Sequence, residues 1–500
     1  MGEVKLPDES FNLITEPWLT VSRDSELVQV GLQEVLLHAH EFTRLEDPSP
    51  LVQGALHRLL LAVLHRALAG PKDVTEARNL LDTGRFSEGV ISAYLKRYRA
   101  RFNLFDVQRP FYQVAGFELP SAKLAPITRL IAEAATGNNA TLSDHSVDTD
   151  VKPRNTAEVA RLLVVHQTFA LGGGRSALGY TSHAPVAGAA LTLALGETLF
   201  ETLVLNLVPY EPEGDAPSWE RPPLTKADIQ EGRPPDGLTD RYTWPSRALR
   251  LVPRTGRDGL VVSHLAYAAG LTASWSDDPM VAYREVEKVG TLPFSLRQDR
   301  AVWRDFRALV PTPGSAFTPP AVIEHAAALG RPKPVQNVMV LGLVSDQAKV
   351  FSWRAEVYSL PKRLLDDEAL RQQLDHLLET ADELGRELWS TQWRVTEGLQ
   401  SPKGGADRKV VTRLAASLPL TRSYWSQAEM AFGELLDRLT HTSEVEVWWR
   451  KRLTVIALEA WEETVRAVGL TPRALRALQA GERTVRYALR TATQPQEEAT

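Results

Sequence analysis

Cysteine is absent from all 500 residues. Disulfides, thiolate metal sites and cysteine nucleophiles are therefore excluded together. Long apolar runs are missing as well. The longest, residues 186–195, is stopped by Glu197 after too few positions to cross a bilayer. The opening Met1-Gly2-Glu3-Val4-Lys5 carries no apolar signal core, so a soluble, unexported, cytoplasmic chain without membrane contact is expected. Excess positive charge is lacking too: 57 Lys plus Arg stand against 62 Asp plus Glu, a net of −5. A protein that grips DNA alone through its phosphates is usually basic, so the balance suits a subunit whose partners supply most phosphate contacts. No Gly-x-x-x-x-Gly-Lys-Ser/Thr, His-Glu-x-x-His or Gly-x-Ser-x-Gly signature occurs.

The hydrophobic fraction of 43%, with 12 Trp, is enough for a large core. Residues 11–14 and 18–21 predict two short strands about a turn at Glu16-Pro17. Leu51, Ala55, Leu59 and Val63, beside Leu56, Leu60 and Leu64, predict a helix over 50–69. Further helices are expected over 91–101, 126–135 and 157–170, with a long polar loop over 136–156. Residues 210–235, dense in Pro, Glu, Asp and Gly, read as an exposed insertion or linker. A hairpin is expected from 335–344 and 349–358, turning at Ser345-Asp346-Gln347-Ala348. In its second arm Phe351, Trp353, Ala355 and Val357 alternate with Ser352, Arg354 and Glu356, the pattern of a half-buried strand.

From about residue 365 the pattern becomes that of long helices. Leu370, Leu374, Leu377, Ala381, Leu384 and Leu388 recur at spacings of four and three, a bundle seam. Residues 410–440, 443–468 and 471–491 supply three more helical stretches, and 494–500 are polar enough to fray. The fold class is therefore α+β, with a large mixed N-terminal domain (1–362) followed by a C-terminal four-helix bundle (363–500). Residues 401–490 hold 15 Lys plus Arg against 10 Asp plus Glu, so the bundle is the basic end of an acidic chain.

Five stretches, in this order along the chain, carry a family resemblance. They are Asn12-Leu13-Ile14 through Trp18-Leu19 to Val21; Arg109-Pro110-Phe111-Tyr112-Gln113; the loop 137–148; Leu171-Gly172-Gly173-Gly174-Arg175-Ser176; and Tyr424-Trp425-Ser426-Gln427-Ala428-Glu429. The chain resembles the CasA family, the large subunit of the type I-E CRISPR surveillance complex, Cascade. The resemblance implies a non-catalytic protein without cofactor. It would recognise the motif flanking a target, the PAM, in double-stranded DNA. Its partners would be the backbone, small and 5′-handle-binding Cascade subunits, the 5′ handle of the CRISPR RNA, and the helicase-nuclease that degrades the target. Some relatives carry a Cys cluster able to hold zinc, which a chain without Cys cannot form.

The resemblance also assigns residues. Gly172, Gly173 and Gly174 fall where the family has its glycine loop. Without Cβ atoms, consecutive glycines can enter a minor groove only about 6 Å wide. Read by composition alone, the same glycines are a helix stop after Ala170. Gln347 matches the family's strand-separating wedge, through Asp346-Gln347-Ala348, and is otherwise a solvated turn residue. Opening one base step costs a few kcal/mol, offset by guide–target pairing. Asn138, Asn139, Leu142 and Asp144 match the loop that meets guide RNA and neighbouring subunits. Arg254 and Arg257 are candidates for the family's basic finger. Arg450, Lys451 and Arg452 in the bundle are solvated surface or contacts to displaced strand. Two other readings stand beside this one: a metal-dependent hydrolase or nuclease using Asp144, His145, Asp148 and Asp150, and a helical scaffold that binds only protein.

Overall fold

The computed structural model describes residues 11–131, 151–257, 259–312, 314–330, 335–346, 349–401, 405–441 and 444–493. Two compact units divide the chain: Met1–Val302 with Ser315–Tyr358, and Trp303–Gly314 with Ser359–Thr500. The first mixes helix and small sheets and the second is helical, in keeping with the α+β expectation.

The first unit is built around the helix Pro50–Leu68, apolar on nearly every side and buried along most of its length. Proline at its first position needs no donor there, and Ala69, left-handed at φ 52°, ends it. The helix Thr156–Phe169 lies against it, started by Asn155, whose side chain accepts the N–H of Glu158 at 2.9 Å. Arg58, fully buried, pairs with Asp278 at 2.8 Å and stands over the Tyr242 ring.

His57 and His65 are buried on the same central helix. Their Nδ1 atoms face the carbonyls of Gln53 and Gly70 at 2.7 and 3.1 Å, so each Nδ1 carries the proton. Burial holds both neutral, with pKa values lowered to about 4. In the unfolded chain each takes up a proton near pH 6.5. The unfolded state therefore binds more protons between pH 6.5 and 4, and stability falls as pH drops through that window, by about 3 kcal/mol per histidine at full effect. Chemical denaturation across this range should show the decline, and His57→Gln should flatten it. A denaturation midpoint that does not move between pH 7 and 4.5 would refute the account.

Strand order departs from expectation at the start. Residues 11–14 form no strand: the N–H groups of Thr15 and Glu16 return to the Asn12 carbonyl at 3.0 and 2.9 Å, closing a turn. Leu19–Arg23 is the first strand, antiparallel to Glu26–Val30 and to Arg44–Leu45. The expected helix over 126–135 is, within the described residues, one 3-10 turn, Ile127–Leu130. A long antiparallel pair joins Arg247–Gly256 to Gly259–Ala269. Another sheet orders Lys349–Pro361, Val335–Asp346 and Leu191–Leu195, with Asn337 opposite Leu195 and Leu341 opposite Leu191.

Two corrections bear on function. In Lys349–Pro361, Phe351 is half-buried and Ser352 exposed as expected, but from 353 to 357 the two faces are reversed: Trp353, Ala355 and Val357 are exposed, while Arg354 and Glu356 are half-buried. Arg354 donates to the carbonyls of Arg297 and Arg300 at 2.9 and 3.0 Å, and Glu356 accepts the N–H of Val302 at 3.0 Å. These bonds outweigh the apolar preference of the other face. Residues 210–235 are not a loose linker either. Tyr210, Asp215, Trp219 and Ile229 are buried, and Glu220 receives Arg66 at 2.8 and 3.0 Å.

In the second unit, Glu368–Gln400 is the longest helix, begun by Asp367, whose side chain accepts the N–H groups of Ala369 and Leu370. Leu374, Leu377, Ala381, Leu384 and Leu388 are buried along one seam, as the spacing predicts. Residues 410–440 do not make one helix. Arg408–Ala415 ends before Pro419, whose missing N–H cannot continue it, and Leu420–His441 starts afresh. Val445–Val468 and Pro472–Thr493 complete the bundle. Tyr424, fully buried, donates to the Ala381 carbonyl at 2.9 Å, and Trp449 to that of Leu377 at 2.9 Å. Among the described residues no helix is long and apolar enough to cross a membrane.

Candidate nucleic-acid interface

The helix Thr156–Phe169 stops at Ala170, whose backbone turns extended, and the chain passes straight into Leu171 and the three glycines. Gly173 and Gly174 lie at φ 140° and 81°, where an L side chain is strained, and both are exposed. Gly172 is fixed differently. A Cβ there would meet the Ser182 carbonyl carbon at 2.6 Å and the His183 nitrogen at 2.7 Å, so only glycine fits beside that returning backbone.

The loop is held rather than loose. The Gly173 N–H reaches the Thr181 carbonyl at 3.0 Å and its Oγ1 at 3.1 Å, while that hydroxyl donates to the Gly173 carbonyl at 2.5 Å. The Gly172 N–H donates to His183 Nδ1 at 3.2 Å. His183 can accept there only when neutral, and partial burial together with the charge of Arg247 lowers its pKa. Beyond the glycines, Arg175–Ser176 pairs with Gly179–Tyr180 as a small hairpin. Tyr180 is exposed, with the Arg175 guanidinium 5.3 Å from its ring centroid.

Beneath the loop sits Arg247, 0% exposed. It donates to the carbonyls of Ser246, Ala170 and Leu171 at 2.7, 3.2 and 2.9 Å and to the Tyr267 hydroxyl at 3.0 Å. Among the described residues no carboxylate pairs with it. The guanidinium is satisfied by oxygen dipoles alone, so its positive charge is left uncompensated under the glycine backbone. Such a place favours an approaching anion. Sequence reasoning found the glycines and missed Thr181, His183 and Arg247. The available signal for the last was a charged residue opening an apolar strand.

The other expected site residues are placed as follows. Arg254 and Arg257 are exposed at the far end of the long hairpin, with Arg254 opposite Val261. The glycine loop is tied to the near end, where Ser176 Oγ accepts the N–H of Ala269 at 2.8 Å. Eight strand residues separate the two ends, roughly 25 Å, so the structure does not bring these arginines to the glycines. Gln347, and the loop residues Asn138, Asn139, Leu142 and Asp144 with His145, lie outside the described residues. Among the described residues no group of three or more His, Asp or Glu is arranged to hold a metal ion. Gln113 of the Pro-Phe-x-Gln element is a core residue: it donates to the carbonyls of Leu104 and Phe111 and accepts the N–H of Leu251.

Comparison with known proteins gives one consistent result. Residues 12–471 match the family of CRISPR-associated protein Cse1. The chain is 42% identical, over 95% of its length and 96% of the relative's, to CRISPR-associated protein CasA/Cse1 of Thermus thermophilus. The solved structure of Thermus thermophilus CasA (Cse1) superposes with a TM-score of 0.85 at 39% identity, covering 97% of this chain and 100% of that one. Thermobifida fusca Cse1 superposes at 0.76 with 25% identity, covering 97% and 99%. A chain of a CRISPR RNA-guided surveillance complex shares the fold, at 0.76 and 22% identity over 95% and 99%. With a match from residue 12 to 471 and this identity over nearly the whole length, the chain belongs to the Cse1 (CasA) family of CRISPR-associated proteins.

Proposed function

We propose that this chain is the non-catalytic large subunit of a type I-E CRISPR surveillance complex, which inspects the motif flanking a target in duplex DNA. Family membership supports the complex. The held, exposed glycine backbone over the Arg247 charge supports the inspection, and it is the observation that carries the reading. Gly173 and Gly174 present main chain that fits a narrow minor groove, whose code separates mainly A·T from G·C, so several flanking motifs would be accepted. Gln347, between the arms of the hairpin Val335–Asp346 and Lys349–Pro361, would hold the first opened base pair apart. Asn138, Asn139, Leu142 and Asp144 would meet the guide RNA 5′ handle and neighbouring subunits. Arg254 and Arg257, most of a helical turn of DNA from the glycines, would touch a distant phosphate rather than the inspected base pairs. Cleavage would belong to the recruited helicase-nuclease.

The test is reconstitution of the guide–protein complex with the chain, without it, and with Gly173→Val. Omission should remove duplex capture. At Gly173 a β-branched residue must leave φ 140°, so the loop refolds and flanked duplex should bind about tenfold or more weakly. A target already opened at the flank should lose less. Equal losses on both targets, or capture unchanged by omission, would overturn the reading.

A further inference from the structure

One cavity of the first unit, about 380 Å³, is lined by Arg101 and Arg109 beside Trp219, Arg247 and the Pro-Phe-x-Gln element. Its volume lies in the range of small-molecule sites, about 300–1,000 Å³. The aromatic side of its wall is Phe111 and Trp219, ring centroids 6.4 Å apart and nearly parallel at 23°. Pro222, Pro223 and Leu224, from the 210–235 segment, add an apolar stretch.

The arginines of this region divide sharply. Arg66 is bound to Glu220 at 2.8 Å, Arg221 to Asp236 at 2.6 Å, and Arg233 to Asp240 at 2.5 Å. Arg101 and Arg109, which also line the cavity, have no ion pair among the described residues. Arg101 makes one long contact, 3.5 Å, to the Ser218 carbonyl. The carboxylate near them, Asp106, already accepts the N–H groups of Gln108 and Arg109 at 2.9 and 2.6 Å. Partial burial, and after it the neighbouring Arg109 charge, lower the Arg101 pKa, against the opposing charge of Asp106. Arg101 is half-buried and Arg109 exposed, so an outside anion can reach both and give them the partner the chain does not supply. The guanidinium fork matches phosphate, and Pro222, Pro223 and Leu224, together with the buried Phe111 and Trp219 rings, supply apolar surface for a base. Glu231, on the same wall and exposed, has no ion-pair partner among the described residues and is an acceptor for an amino group.

We infer that this cavity binds a nucleotide: its phosphate on Arg101 and Arg109, an amino-bearing base against the Phe111–Trp219 side. Arg247 borders both this cavity and the glycine loop, but the inference does not rest on the minor-groove reading, because Arg101 and Arg109 make no contact that holds Gly173 or Gly174. The nucleotide has two possible sources, a free mononucleotide or one residue of a single strand.

Calorimetry on the full chain decides it, with adenosine monophosphate, uridine monophosphate, inorganic phosphate, a short single-stranded oligoadenylate and a polyglutamate peptide as probes. Adenosine monophosphate should bind with one-to-one stoichiometry, and R101Q/R109Q should weaken it about tenfold or more. Pro222→Glu, an exposed position on the rim that leaves the fold alone, should do the same by adding a carboxylate. Uridine monophosphate should bind more weakly, and phosphate alone more weakly still. Oligoadenylate binding without mononucleotide binding, lost in the same variants, assigns the source to a strand and upholds the site. No probe binding at millimolar concentration, affinity unchanged in both variants, or polyglutamate binding as tightly as the nucleotide would overturn the inference.

Discussion

Trp303→Ala is expected to destabilise the helical unit by about 3–5 kcal/mol, the range for truncating a buried Trp. Trp303 is 1% exposed and belongs to that unit although it lies some fifty residues ahead of the bundle in sequence. Its ring centroid is 5.4 Å from Phe432 and 5.9 Å from Trp425. The next residue, Arg304, stacks on Trp425 with its guanidinium carbon 3.5 Å from the centroid and is bonded to Asp382 at 2.9 and 2.8 Å. Trp425 in turn occupies the space above Gly385, where a Cβ would lie 2.1 Å from the ring. Alanine would empty the middle of this stack, and the rings around it cannot close the gap without moving the longest helix. Urea denaturation followed by helical circular dichroism measures the loss. A change under 1 kcal/mol would show that the stack is decorative.

Arg247→Met should be the most damaging single change near the glycine loop. It removes four hydrogen bonds from a charged donor, each worth about 1.5–3 kcal/mol, and leaves the carbonyls of Ser246, Ala170 and Leu171 buried without that partner. A net loss of at least about 3 kcal/mol is expected after methionine packing is credited. The proposal adds a second consequence. With the charge gone, duplex capture by the reconstituted complex should weaken and become less sensitive to salt, because a guanidinium field no longer favours the phosphates. Arg247→Lys restores the charge with three donors in place of the fork, so it should recover salt sensitivity more than stability. Capture that keeps its salt slope in the methionine variant would confine Arg247 to a structural role.

What the sequence made legible follows from periodicity. The Leu374 to Leu388 seam and the stripe on the central helix each repeat over several turns, so their burial was readable. Alternation in residues 351–357 also announced a strand, but period two states only that two faces exist. Which one turns inward was decided by carbonyls at Arg297 and Arg300, more than fifty residues away, that bind Arg354. The error over 210–235 has the same origin. Proline and acid content describe a chain without partners, whereas Tyr210, Trp219 and Glu220 find theirs on helices from the first hundred residues: Tyr210 and Glu220 meet Arg66, Trp219 donates to Tyr94 at 2.7 Å. At the glycine loop, the glycines announced themselves by number. Their locks did not, because Thr181 and His183 act only once the small hairpin has folded back.

The placement of residues 303–314 within the helical unit means that the backbone passes between the two units three times, at 302/303, 314/315 and 358/359. A single protease nick near 358 would therefore yield a split protein, not two free halves. The shorter product would retain its complement through a twelve-residue strap anchored by Trp303 and Arg304, and would come away only on denaturation.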